Sequence, residues 1–164
     1  MTGVRIEPAT SQDLAEIEAL LAANRLPVDG VKDWIGSALV ARAGSRTIGC
    51  AALEVYTSGV LLRSVAVASA WRGRGVGIQL TEAGLELARS RRAEAAYLLT
   101  TTASGFFPRF GFEPIERADV PNDVKQSIEF TSACPSNALV MRMDLTGRAG
   151  EAAIPPILPA LPAR

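Results

Sequence analysis

Histidine is absent from the 164 residues, and the two cysteines, Cys50 and Cys134, stand 84 positions apart with no CxxC or other ligand spacing. A zinc site and a histidine-based catalytic triad are therefore not expected, and no metal is predicted. Each thiol reads as a packed core cysteine in a reducing compartment. Charge of one sign is also missing, since 17 basic and 17 acidic residues cancel. Broad attraction to nucleic acid or to an anionic membrane is not expected, so any anion site must be local. No run reaches the roughly 18 uninterrupted apolar residues of a membrane span, and residues 1–14 hold no apolar signal core, so the expectation is a soluble, cytoplasmic protein without nucleic-acid or membrane partners. Aromatics are scarce at 5%, whereas hydrophobic residues make up 48%, enough for one sizeable core.

What the chain does contain is a β-type run that opens, through glycines and arginines, into a helix: residues 61–77, LLRSVAVASAWRGRGVG. Exposed N–H groups at a helix N-terminus hold phosphate, and glycines let it approach closely. Arg72, Gly73, Arg74, Gly75, Val76 and Gly77 are the candidate diphosphate loop. The alternating glycines do not make a dinucleotide-binding turn. The next strand, residues 95–101, offers no acidic partner for a ribose. No Gly-Lys-Ser/Thr follows either, so this is not a P-loop.

Around this loop the pattern alternates strands and helices. A strand over residues 4–6 precedes a helix from Ser11, whose hydroxyl is the expected cap and whose apolar face is Leu14, Ile17, Leu20 and Leu21. A short helix over 28–36 leads to strands at 38–43 and 47–56, joined around Gly44-Ser45-Arg46, and to a third strand at 61–68. From Gly75 a second long helix carries Val76, Leu80, Ala83 and Leu87 at helical spacing, with Arg89, Arg91 and Arg92 where the helix dipole favours cations. Strands at 95–101, 112–116 and 139–145 follow, with a short helix or turn at 103–110 and a helix over 122–130. A helix crossing over after three consecutive strands predicts an α/β fold, a mixed central sheet of about six to seven strands with helices on both faces. Residues 1–145 form the expected domain. Residues 146–164, rich in alanine and proline, read as a flexible tail.

The spacing Arg72-x-x-Gly75-x-Gly77 after Val65-Ala66-Val67 resembles the acetyl-CoA motif Q/R-x-x-G-x-G/A of the GNAT N-acetyltransferase superfamily. FFPRFGF at residues 106–112 is similar to the family's second signature, and the strand order matches over residues 4–145. Within the superfamily the phrases LRSVAV, LLTTTA, FFPRFGF and SIEFTSACPSNALVMRMDL resemble the ArsN-like, arsenic-resistance-associated acetyltransferases, which are likened to N-acetylglutamate synthases.

The resemblance implies direct acetyl transfer from acetyl-CoA, the co-substrate, to the amine of a small molecule such as an amino acid or amino-acid-like toxin. It also implies a sheet splayed at the strand of Val65, Ala66 and Val67, whose edge binds pantetheine and polarises the thioester. A homodimer is compatible with it. Phe107 stands where many members have a proton-donating tyrosine, which leaves Tyr56, Tyr97, a water or no donor at all. Thr100 stands where the family has an asparagine. The attacking amine needs a base, and Glu54 is the carboxylate on the three consecutive strands; its alternative is a solvated charge at a strand end, and Glu129 is a further candidate. Arg63, a cation in an apolar run, either holds a substrate carboxylate, with Ser64 on the opposite face of the strand, or pairs with Glu54 or Glu113 on the sheet surface. Cys134 beside Pro135 is a lone thiol and a poor arsenic ligand. Two other classes remain: a catalytically silent acyl-CoA-binding or regulatory module, and a protein N-acetyltransferase.

Overall fold

The computed structural model describes residues 3–133 and 137–146. Seven strands form one sheet: β1 (Val4–Pro8), β2 (Ala38–Ala43), β3 (Arg46–Tyr56), β4 (Gly59–Val67), β5 (Ala95–Thr100), β6 (Glu113–Ile115) and β7 (Leu139–Asp144), in the order β1-β2-β3-β4-β5-β7-β6. Only β4 and β5 run parallel; every other neighbouring pair is antiparallel. The parallel pair requires a crossover, which α2 (Val76–Ser90) supplies.

Alternation along the strands explains why both faces are covered. On β2, Leu39 and Ala41 pack with Val76 and Leu80 of α2, whereas Val40 between them packs with Ile17 and Leu21 of α1 (Leu14–Ala23). Adjacent residues of a strand point to opposite faces, so the two helices lie on opposite sides of the sheet. This is the mixed α/β sheet expected from the sequence. Gly49 of β3 allows α2 to come close, because a Cβ there would stand 2.8 Å from the Leu80 side chain and 3.1 Å from the Ala66 carbonyl.

Three local expectations need correction. The first helix is capped by Thr10 rather than Ser11: Thr10 Oγ1 accepts from the Gln12 N–H while Asp13 Oδ2 accepts from the Thr10 N–H at 2.8 Å, a capping box over the opening 3-10 turn. Residues 28–36 do not form an α-helix but a kinked 3-10 segment, Val31–Ser37, entered through Gly30 at φ +78°. In place of a helix over 122–130 there is a 3-10 turn, Val124–Gln126, and then a π-type turn, Glu129–Ala133. The break falls at Ser127, which leaves helical backbone at φ −54°, ψ 143° and whose Oγ accepts from the Glu129 N–H, whereas Asp123 caps the start of the turn. The Asp123 carboxylate accepts from the N–H groups of both Ser58 and Val124 and so ties the segment to the β3–β4 turn. On α2 the buried stripe is Val76, Leu80, Thr81, Gly84, Leu85 and Ala88, so Ala83 and Leu87 lie at its margin. Cys134 and residues 147–164, the bulk of the expected tail, lie outside the described residues.

Candidate active site

The sheet opens between β4 and β5. Register is kept only for Val60 with Ala96 and Leu61 with Tyr97, and beyond these two pairs the strands separate. A bulge in β4 starts the divergence. Opposite it, Cys50 pairs with Ala66 and Ala52 with Arg63, so Ala51 alone faces both Ser64 and Val65. Ser64 takes φ +62°, a left-handed conformation that costs a non-glycine residue roughly 1–2 kcal/mol. Two contacts hold it there: the Cys50 thiol donates to the Ser64 carbonyl at 3.3 Å, and Arg63 Nε donates to Ser64 Oγ at 3.0 Å. Burial pushes the Cys50 thiol up to about 12, so it stays protonated as a donor.

The gap is a cavity of about 870 Å³. One wall is β4, including Val65, Ala66 and Val67, whose backbone has no β5 partner. The other wall holds Leu98 and Thr100 of β5 together with Phe106 and Phe107. Phe107 has no hydroxyl and packs edge-on against Phe106 and Phe112. Thr100 Oγ1 accepts from the Ala103 N–H at 2.9 Å and so turns the chain at the end of β5.

At one end of the cavity lies the start of α2. Gly73 and Gly75 take φ +78° and +83°, and an added Cβ at either meets nothing within 4 Å. Conformation rather than space therefore calls for glycine at both. The turn aims the first N–H groups of α2, which lack intrahelical acceptors, outward beside Gly77 on the cavity wall. Arg72 reaches this wall and donates to Asn24 Oδ1 at 2.6 Å, while Arg74 lies 4.8 Å from the centre of the Trp71 ring. Val76 points into the core. The arrangement suits an anionic group at the helix end and an extended chain along β4.

At the other end Arg63 is surrounded. Its side chain has no solvent exposure. It donates from Nη1 to Glu54 Oε2 at 2.8 Å and from Nη2 to the Asp29 carbonyl at 2.7 Å, and its Nε lies 3.2 Å from Glu129 Oε2. Glu54 is sealed as well, at 1% exposure, and also accepts from the Tyr56 hydroxyl at 2.5 Å. Burial first, and then the Glu54 carboxylate, pushes the Tyr56 hydroxyl far above its ordinary range.

Several sequence expectations meet a different geometry here. Glu54 is not a solvated charge at a strand end, and it does not line the cavity. Glu129 does line it. Arg63 pairs with Glu54 as one alternative held, but deep in the interior rather than on the sheet surface, and Glu113 has no part in it. Ser64 lines the cavity, and its hydroxyl does not stand on the opposite strand face from Arg63 but accepts from Arg63 Nε, because the bulge and the left-handed Ser64 break the alternation. Neither tyrosine lines the cavity, and Tyr97 instead faces Arg142 of β7. Sequence reading missed the loop of residues 24–29, which supplies Asn24, Arg25, Leu26, Pro27 and Asp29 to the wall. Its signal was Pro27 and Gly30 bracketing a tight turn, which marks a loop without saying what the loop faces. Among the described residues, no group of His, Cys, Asp or Glu could hold a metal ion, and no helix is long and apolar enough to cross a membrane.

The family model described as an acetyltransferase (GNAT) domain matches residues 34–114, which run from the strands before the bulge through α2 to β6. An N-acetyltransferase of Chlorobaculum tepidum is 31% identical over 98 residues, covering 59% of this chain and 63% of that protein. An amino-acid acetyltransferase of Mycobacterium tuberculosis is 35% identical over 80 residues, covering 48% of this chain and 45% of that protein. The chain thus spans less than two thirds of the length of the curated relatives it matches. The solved structure of Rv2747 from Mycobacterium tuberculosis, in complex with CoA, superposes with a TM-score of 0.74 over 86% of this chain and 99% of that one at 23% identity, which shows the shared fold. The splayed sheet and the glycine turn before α2 agree with the matched segment: residues 34–114 match the acetyltransferase (GNAT) domain family.

Proposed function

We propose that the protein transfers the acetyl group of acetyl-CoA to the amine of a small, amino-acid-like molecule. The observation that carries this reading is the unpaired inner edge of β4, open to an 870 Å³ cavity with the N-terminus of α2 at one end, within a GNAT domain. The diphosphate would sit on the N–H groups of residues 72–77, and the pantetheine would pair with Val65, Ala66 and Val67 as an added strand. A β4 N–H aimed at the thioester oxygen would stabilise the tetrahedral intermediate, a role worth about 3 kcal/mol per donor. The amine nitrogen bonds to the carbonyl carbon, the C–S bond then breaks, and CoA leaves as its thiolate. With Phe107 in place of a hydroxyl and neither tyrosine on the wall, that thiolate leaves unaided or takes a proton from water. The amine's proton passes to a carboxylate or to water. Of the two candidate bases, Glu129 has the better position because it lines the cavity, while both Glu54 oxygens are taken.

The amino-acid class is supported by the name of the Mycobacterium tuberculosis relative and by the arginine and glutamates at the far end of the cavity. A substrate carboxylate reaches Arg63 only by taking the place of Glu129 or of a loop carbonyl. The finer likeness, to arsenic-resistance acetyltransferases, makes arsono- and phosphono-amino acids the toxic analogues of choice. Phe107 favours a second reading, an acyl-CoA-binding module without turnover. One assay separates them: CoA release from acetyl-CoA in the presence of amino acids, their arsono- and phosphono-analogues, amines lacking a carboxylate, and a peptide with a free N-terminus. Turnover with amino-acid-like amines supports the proposal. Turnover with the peptide alone moves the function to protein acetylation, and tight acetyl-CoA binding with no turnover supports the silent module.

A further inference from the structure

Arg63 is the point where two separate wall segments meet. One is loop 24–30, which follows α1. It presents the Asp29 carbonyl 2.7 Å and the Pro27 carbonyl 3.4 Å from Nη2. The other is segment 127–133, almost a hundred residues later, which presents Glu129 to Nε at 3.2 Å. Its backbone is set by Ser127, whose Oγ accepts from the Glu129 N–H at 3.1 Å. The third partner, Glu54 at 2.8 Å, belongs to β3 and anchors the guanidinium to the rigid sheet. Both segments also line the cavity, through Asp29 and Glu129. An apolar approach between them lies at Gly30, where an added Cβ would stand 3.0 Å from Ile128 Cγ2 and 3.4 Å from Arg63 Nη1.

We propose that Arg63 is a positioning residue for the acceptor end of the cavity, a buried clasp that fastens loop 24–30 and segment 127–133 to each other and to β3, so that the two walls loosen together. The physical reason is the shape of guanidinium. Its planar fork aims donors in three directions at once, which lysine cannot do. With solvent excluded, the legs to Glu54 and the Asp29 carbonyl are charge-assisted hydrogen bonds and the leg to Glu129 is a close ion pair, so the loss of any one is felt by the whole group. That this end receives the acceptor rests on the acetyltransferase reading; the coupling of the two walls does not.

The test is amide hydrogen exchange on the full chain, comparing wild type with Glu129→Ala and Ile128→Ala. Glu129→Ala removes one leg and leaves the Arg63–Glu54 pair balanced, so no buried ion is stranded. Exchange at residues 127–131 is expected to speed up on the order of tenfold or more, and exchange at residues 29–33 to speed up with it, with α2 unchanged. Ile128→Ala is expected to leave residues 29–33 within twofold of wild type. Loosening confined to 127–131 overturns the clasp. Equal loosening of loop 24–30 by Ile128→Ala also overturns it, because the apolar touch would then carry the coupling. Arg63→Lys adds a kinetic arm: KM for whichever tested amino acid turns over should rise about tenfold with the acetyl-CoA dissociation constant within twofold. If wild type acetylates no tested amine, the function proposed above fails, and the exchange data still decide the clasp.

Discussion

Replacing Gly75 by alanine separates conformational strain from steric exclusion at the anion site. Gly75 sits at φ +83°, ψ 6°, and an alanine Cβ would meet no atom within 4 Å. The added methyl therefore clashes with nothing, and its cost is the left-handed backbone, roughly 1–2 kcal/mol. That strain must appear in the stability of the free protein, in the affinity for CoA, or be divided between them. If the loop keeps its conformation when free, unfolding takes the whole effect and Tm falls by about 2–8 °C for a chain of this size. If the exposed loop relaxes to negative φ when free, Tm barely moves and binding must restore the strained form, weakening CoA about 5- to 30-fold. Nothing packs on the site of the new Cβ to resist relaxation, so the second outcome is expected: Kd up 5- to 30-fold by calorimetry, with Tm within about 2 °C. Unchanged Kd together with unchanged Tm would refute the reasoning. A loss beyond roughly a thousandfold would mean that the ligand touches Cβ, which strain of this size cannot produce.

Gly77→Ala is the companion case, since a Cβ there makes only ordinary contact with Phe106 at 3.5 Å; helix propensity should raise stability by about 0.5–1 kcal/mol, and CoA affinity should hold within threefold by calorimetry. Cys50, pushed up to about 12 and buried, should resist alkylation at pH 8 in the folded protein and react on unfolding, as peptide mass spectrometry would report. The Asp13 carboxyl is held below its ordinary value chiefly by the Thr10 N–H, with Arg42 reinforcing it and burial opposing. A depressed folded value stabilises above the unfolded carboxyl's range and loses that contribution as pH falls through the folded one, so Asp13→Asn should lower Tm at pH 7 and the gap should close below about pH 4. Leu80→Ala, at a fully buried position facing the sheet, should cost about 2–5 kcal/mol in a denaturant titration.

Period and punctuation made most of the fold readable. Strand β2 falls on residues 38–43 as the alternation requires, and α2 begins after Gly75 because the glycine turn and the apolar spacing agree. The diphosphate loop is legible for the same reason, as its function lies in consecutive backbone groups. The acceptor end is not. Arg63 shows as an anomalous cation in a strand, but its partners come from β3, from a loop 34 residues earlier and from a turn 66 residues later, and only tertiary packing brings those together. The bulge at Ser64 is equally hidden, since a serine carries no local preference strong enough to announce a left-handed residue inside a strand. Asp123 caps the turn that follows it, but its second acceptor contact, to the Ser58 N–H 65 residues earlier, is long-range and cannot be read locally.

The two-pair seam between β4 and β5 has a consequence for how the protein lives with an open strand. An unpaired edge at the margin of a sheet invites a second chain to add on, which is a route to aggregation. Here the open edge is recessed between the two halves of one sheet, where a slender linear molecule can slide in and a folded neighbour's strand cannot follow. The protein can thus keep main-chain hydrogen-bonding capacity on offer at β4 without presenting that edge to a neighbouring strand, and whatever fills the gap would act as the missing rung that laces the halves together.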